Sequence, residues 1–253
     1  MTIEKWFHVF VAIGSRYLLA AGIAFLLFYV LLNRKLTFKK LQQKHPSFKD
    51  YIREIGFSLI TICIFTFVFW ILMFYEPMAR YNQVYKPVSK LGWWYFWGLF
   101  PVLFFVHDTY FYWTHRLMHH PRLFKAFHLV HHRSTNPTPW AAYAFHPLEA
   151  VVEAGVFVLF IYAFPITFLH IGLFFLAMII YNVYGHLGYE LYPSWLNRFW
   201  LTKWINTSVS HNQHHQYFKG NYGLYFTIWD RWMGTLRSDY EQGFEKATTA
   251  KKT

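Results

Sequence analysis

The chain has a single cysteine, Cys63, in 253 residues. One thiol closes no disulfide within the chain, and thiolate-built metal sites need several, so both are excluded. Cys63 lies in an apolar run and is read as a small buried hydrophobe. Charge is scarce as well: Asp, Glu, Lys and Arg together make up 14% of the residues. That is too little to coat an ordinary soluble domain. No glycine-rich nucleotide-binding motif is present, so no bound nucleotide supplies electrons from within the chain. Internal repeats and low-complexity stretches are missing too.

What the chain has instead is apolar bulk. Hydrophobic residues make up 55% and aromatic residues 24%, a composition that points to lipid contact. The formal net charge of +12 raises the question of nucleic acid. A nucleic-acid-binding domain spreads Lys and Arg over a polar surface, whereas here the basic residues flank long apolar runs. Nucleic acid is therefore not an expected partner.

Five segments are apolar enough to enter a bilayer, at about 8–32, 55–75, 93–113, 148–163 and 165–184. The first is too long for a signal-peptide core and is read as a retained anchor. The fourth is short and is read as a shallow or tilted half of a hairpin, with Pro165 starting the helix after it. Arg16, inside the first segment, is expected to snorkel or to face a neighbouring helix. The loop after the first segment carries Arg34, Lys35, Lys39, Lys40, Lys44, Lys49 and Arg53, which places it in the cytoplasm by the positive-inside rule. The 76–92 loop then lies outside, and residues 114–147 and 185–253 share the cytoplasmic side. The expected fold is all-α: a multi-pass transmembrane helix bundle with a cytoplasmic helical cap. It forms a single integral-membrane catalytic domain, with anchor helices at about 1–106, a histidine-rich core at 107–236 and a polar tail at 237–253.

Fifteen histidines are present, and their placement is informative. Three boxes recur: H-R-L-M-H at 115–119, H-L-V-H-H at 128–132 and H-N-Q-H-H at 211–215. On a helix, positions i, i+3 and i+4 share a face, so each box aims its imidazoles one way. Adjacent histidines such as His131 and His132 diverge by about 100°, so one box can reach two neighbouring ions. Eight or more imidazoles exceed what one ion uses, and a closed zinc site needs only four ligands. Two nitrogen-ligated redox metals beside a membrane suit O2 activation. His8, His45 and His170 stand outside the boxes and are read as packing or hydrogen-bonding residues.

The run H-D-T-Y-F-Y-W-T-H-R-L-M-H-H-P-R-L-F-K-A-F-H-L-V-H-H-R-S resembles the core of the fatty acid hydroxylase/sterol desaturase superfamily. So does the later H-N-Q-H-H-Q-Y-F-K-G-N-Y-G-L-Y-F-T-I-W-D-R-W-M-G-T. With A-F-H-P-L-E and N-V-Y-G-H-L-G-Y-E, the resemblance covers about 107–236. It implies a di-iron, O2-dependent oxidoreductase that hydroxylates or desaturates a membrane lipid, fed with electrons by a separate reductase, ferredoxin or cytochrome. By the same resemblance His115, His119, His128, His131, His132, His211, His214 and His215 are iron ligands, with His186 as a ninth. Asn182 stands where some members have a further histidine, and its amide is a candidate to hold a metal-bound water.

Beside these, Asp108 is a candidate to orient a ligand imidazole from another helix. His107 is a candidate ligand or partner of one, and Glu149 and His146 are expected to bond each other near the site. No role is assigned to His120. The N-Y-G and W-D-R-W-M-G-T segments are read as turns and packing around the third box. The competing function is a histidine-rich membrane metal transporter or metal-binding protein. Such a protein places ligands near mid-bilayer and commonly uses carboxylates, whereas these boxes fall outside the apolar runs. A membrane zinc hydrolase needs fewer ligands than are present.

Overall fold

A computed structural model describes residues 3–250. Its regular structure is all helical, with no strand among the described residues. The elements are α1 (Ile3–Phe25), extended by a π-helical turn to Leu31, α2 (Phe48–Phe74), α3 (Glu76–Ala79), α4 (Gly92–Met118), α5 (Pro121–Phe127), α6 (Leu129–His132), α7 (Pro147–Ala163), α8 (Phe168–Gly185), α9 (Ser208–Tyr217), α10 (Ile228–Trp232) and α11 (Tyr240–Thr249). The long helices α1, α2, α4, α7 and α8 match the five apolar segments and pack together. Side chains such as Leu19, Ile23, Ile60, Phe67 and Trp97 face outward from them, as a lipid-facing surface requires, and Cys63 on α2 is exposed with them, not buried as expected. Three helices are long and apolar enough to cross a membrane: Ile3–Leu31, Phe48–Phe74 and Phe168–Gly185. The other two carry the polar residues of the site, Asp108 on α4 and Glu149 with Glu153 on α7.

Local chemistry sets the helix starts. Ser47 and Asp50 form a reciprocal capping box that opens α2. Pro147 occupies the first turn of α7 behind the His146 cap, whose Nδ1 accepts the Leu148 N–H. The α7–α8 connection departs from expectation in two ways. Helix α8 begins at Phe168, not at Pro165, because Thr167 and His170 build a capping box there. The hairpin is also not shallow. The backbone at Ile161 and Ile166 bonds to Gln83 and Tyr85, in the loop at the far end of the bundle, so α7 runs its whole length. Arg16 faces α8, donating to the Gly172 carbonyl as well as to Ala12 in its own helix.

The remaining segments gather at the opposite end, where α1, α4 and α8 finish and α2 and α7 begin. Helix α9 packs on α8 and α11. The 237–250 segment is no loose tail: Tyr240 and Phe244 of α11 are buried against Leu196 and Val209. Residues 251–253 of the expected tail lie outside the described residues.

Candidate metal centre

Three helices and the end of a fourth deliver histidines to a common point. Helix α4 brings His115 and, at its C-cap, His119; α6 and its N-cap bring His128, His131 and His132; His186 caps the end of α8; α9 brings His211, His214 and His215. They sort into two groups that could each hold an ion. One is His115, His119, His128, His132 and His214; the other is His131, His186, His211 and His215. All nine histidines proposed from the sequence fall in these two groups, and no other histidine among the described residues does. Adjacent residues part as their helical angle dictates: His131 and His132 enter different groups, as do His214 and His215.

The imidazoles confront each other through Nε2. These nitrogens are separated by 2.9 Å for His115–His128, 3.1 Å for His119–His214 and His119–His132, and 3.0 Å for His132–His214. In the second group the spacings are 3.3 Å for His131–His186, 2.9 Å for His186–His211 and 3.2 Å for His211–His215. Nitrogens bound at right angles to one ion at about 2.1 Å lie about 3.0 Å apart. The tautomers strengthen the match. His115 Nδ1 donates to the Tyr222 carbonyl at 2.9 Å and His128 Nδ1 to Glu149 at 2.6 Å. Their Nε2 atoms therefore present lone pairs to each other, a contact that only a shared cation makes favourable. His214 Nδ1 donates to the Gly220 carbonyl at 2.7 Å and His186 Nδ1 to Asn182 O at 2.8 Å, which leaves the Nε2 lone pair of each free for a metal.

Burial holds the rings neutral. Desolvation pushes His115 and His186 down to about 4 and His119 to about 2, and holds the other six well below the ordinary histidine range. A neutral imidazole is the form that binds metal.

The neighbouring candidates fall differently. Glu149 bonds the His128 ring, while the His146 ring caps α7, so these two side chains do not pair and Glu149 meets His146 only through its backbone N–H. Asp108 touches no imidazole. Its Oδ1 instead accepts the backbone N–H groups of Leu224, Tyr225 and Phe226 at 3.3, 2.7 and 3.1 Å. It thereby anchors to α4 the loop that follows the third box. His107 bonds the Tyr225 hydroxyl at 2.9 Å and belongs to neither group. His120 is the N-cap of α5. Asn182 donates its amide to the Ala142 carbonyl at 2.7 Å. His170 is buried and bonded to Phe96 O, far from the site.

The N-Y-G turn does more than pack. Gly220 and Asn221 adopt left-handed backbone, and a Cβ at Gly220 would lie 2.7 Å from Thr235 O. That turn aims the Gly220 and Tyr222 carbonyls at His214 and His115. Asp230, of the W-D-R-W-M-G-T segment, locks it by accepting the Tyr222 and Gly223 N–H groups. Glu190 ties the start of α9 to the chain after α8 by accepting the Val209 N–H and the Tyr184 hydroxyl. A cavity descends from the histidines into the bundle, with Ile13, Phe65, Phe69, Phe157 and Met178 among its walls and His128, His131, His186 and His211 at its head.

A family model described as fatty acid hydroxylase matches residues 100–235, which span all three boxes and His186. The chain belongs to that family. Family members are oxygen-dependent membrane oxidoreductases that hydroxylate or desaturate lipids, and this chain is one of them. A Delta(7)-sterol 5(6)-desaturase of Gibberella zeae is 32% identical over 87% of this chain and 68% of its own. One of Leptosphaeria maculans is 30% identical over 91% and 60%, and human lathosterol oxidase is 29% identical over 83% and 70%. The chain thus spans about 60 to 70% of the length of these relatives. No solved structure matches it.

Proposed function

We propose that the nine histidines hold two iron ions and that the enzyme desaturates the ring system of a sterol. The observation that carries the metal assignment is the set of Nε2–Nε2 spacings, 2.9–3.3 Å across both groups. Bound iron would supply O2 activation and removal of hydrogen from an unactivated C–H bond. The choice of a sterol follows the printed activities of the relatives and the apolar cavity beneath the histidines. Making one C=C bond removes two hydrogens, and reducing O2 to two waters takes two further electrons and two protons. Those electrons come from a separate redox protein.

The protein's own part is positioning. Glu149 and the carbonyls of Asn182, Gly220 and Tyr222 take the Nδ1 protons and so leave Nε2 free for metal. The aromatic walls of the cavity keep water from the reacting carbons. The basic 33–53 loop lies at the same end of the bundle as the histidines: Arg53 donates to Ser134 and Lys40 bridges to Tyr189. This supports a multi-pass arrangement with the active site on the cytoplasmic face. A second reading, metal transport, loses its support because both groups sit at one end of the bundle and contain no carboxylate. Lipid profiling of cells with and without the gene tests the assignment. Loss of two hydrogens from a sterol is expected; gain of one oxygen would replace desaturation with hydroxylation, and an unchanged sterol fraction would refute the substrate.

A further inference from the structure

Besides Glu149, two charged side chains line the cavity, Arg16 and Glu153. Arg16 is satisfied by backbone carbonyls at the α1–α8 seam. Its partner Gly172 precedes His186 by 14 residues on one helix, about 21 Å of rise. Glu153 is different. It makes no hydrogen bond or ion pair among the described residues. It lies four residues after Glu149 on the same face of α7, about 6 Å further from the metal-binding end. An unpartnered carboxyl facing an apolar cavity is costly to keep, and such a residue inside a membrane protein calls for a ligand that supplies a donor.

We propose that Glu153 accepts the hydroxyl O–H of the substrate and sets the register in which its rings meet the histidines. The proposal rests on the sterol reading above and adds the group that recognises the sterol. A sterol is a rigid hydrocarbon frame with one hydroxyl, on ring A, and the 5(6) bond is only two bonds from the hydroxyl-bearing carbon. A hydroxyl held at Glu153 therefore leaves that bond roughly one helical turn away, next to His128. A hydroxyl held at Arg16 leaves it far short of the metals, so Glu153 and not Arg16 fits oxidation close to the polar end. The hydrocarbon tail then lies toward Ile13 and Phe69.

The test uses the full-length, metal-loaded protein in lipid nanodiscs and measures equilibrium binding of lathosterol and of its 3-methyl ether, which cannot donate. The wild type is expected to prefer the alcohol by about tenfold, the worth of one hydrogen bond to a carboxylate. E153L should bind the alcohol as weakly as the ether, with ether affinity and metal content unchanged. E153Q should keep most of the preference, because its amide oxygen still accepts. Should E153L lose its metal, E153M takes its place with the same expected result. A preference that survives both apolar substitutions would overturn the proposal and leave the sterol reading intact. Failure of the wild type to bind either sterol would overturn both.

Discussion

The bond between Glu149 and His128 gives the most specific consequence of the geometry. Its length is 2.6 Å and both side chains are buried, at 1% and 2% exposure. Among the described residues, His128 is the only one of the nine whose Nδ1–H meets a carboxylate; His115, His186 and His214 meet backbone carbonyls. Loss of such a partner lowers metal affinity roughly 10- to 100-fold, about 1.4–2.8 kcal/mol. Glu149→Gln keeps an accepting oxygen but loses the charge and buries an unpaired amide, so it should cost about tenfold. Glu149→Leu removes the acceptor and should reach the upper end of that range. Either loss should fall on the five-histidine group alone, since His128 belongs only to that one. Chelator competition followed by metal analysis reads this as one ion released early and one retained at wild-type affinity. Two ions held as tightly as in the wild type, or earlier release from the four-histidine group, would refute the reasoning.

Asp108→Leu should destabilise the fold by about 1–3 kcal/mol, because three backbone donors lose their acceptor, and Asp108→Asn, whose amide oxygen still accepts, by less. The thermal midpoint should fall before metal content does; an unshifted midpoint would remove the anchoring role. Acid should weaken the metal-free protein. Folded His115 and His186 protonate only near 4, while the unfolded chain takes up those protons near 6.5. The unfolded state therefore binds more protons between those values, and stability falls as pH drops through that window, by up to about 3 kcal/mol per residue. A thermal midpoint unchanged between pH 7.5 and pH 5 would contradict this.

The centre itself was legible because its signal is local. The i, i+3, i+4 boxes dictate which rings share a face, and the angle between His131 and His132 dictates that they part. His186 lies alone in the chain, and only the family resemblance marked it. What escaped is contact made across long stretches of sequence. Asp108 meets the backbone 116 residues later, and Asp230 fixes a turn that carries two imidazole acceptors. The left-handed Gly220-Asn221 pair, just beyond the third box, was the available hint that this turn is built and not merely a connection. The start of α8 escaped for the opposite reason. Proline suits the first turn of a helix, but the Thr167–His170 capping box two residues on is the stronger local device.

Metal analysis of the purified, membrane-inserted protein from iron-replete cells bears most directly on the two-ion centre. The account predicts close to two irons per chain, about one retained in His214→Ala or His131→Ala, and both retained in His45→Ala. One zinc and no iron in the wild type, or both ions retained in the box variants, would contradict it.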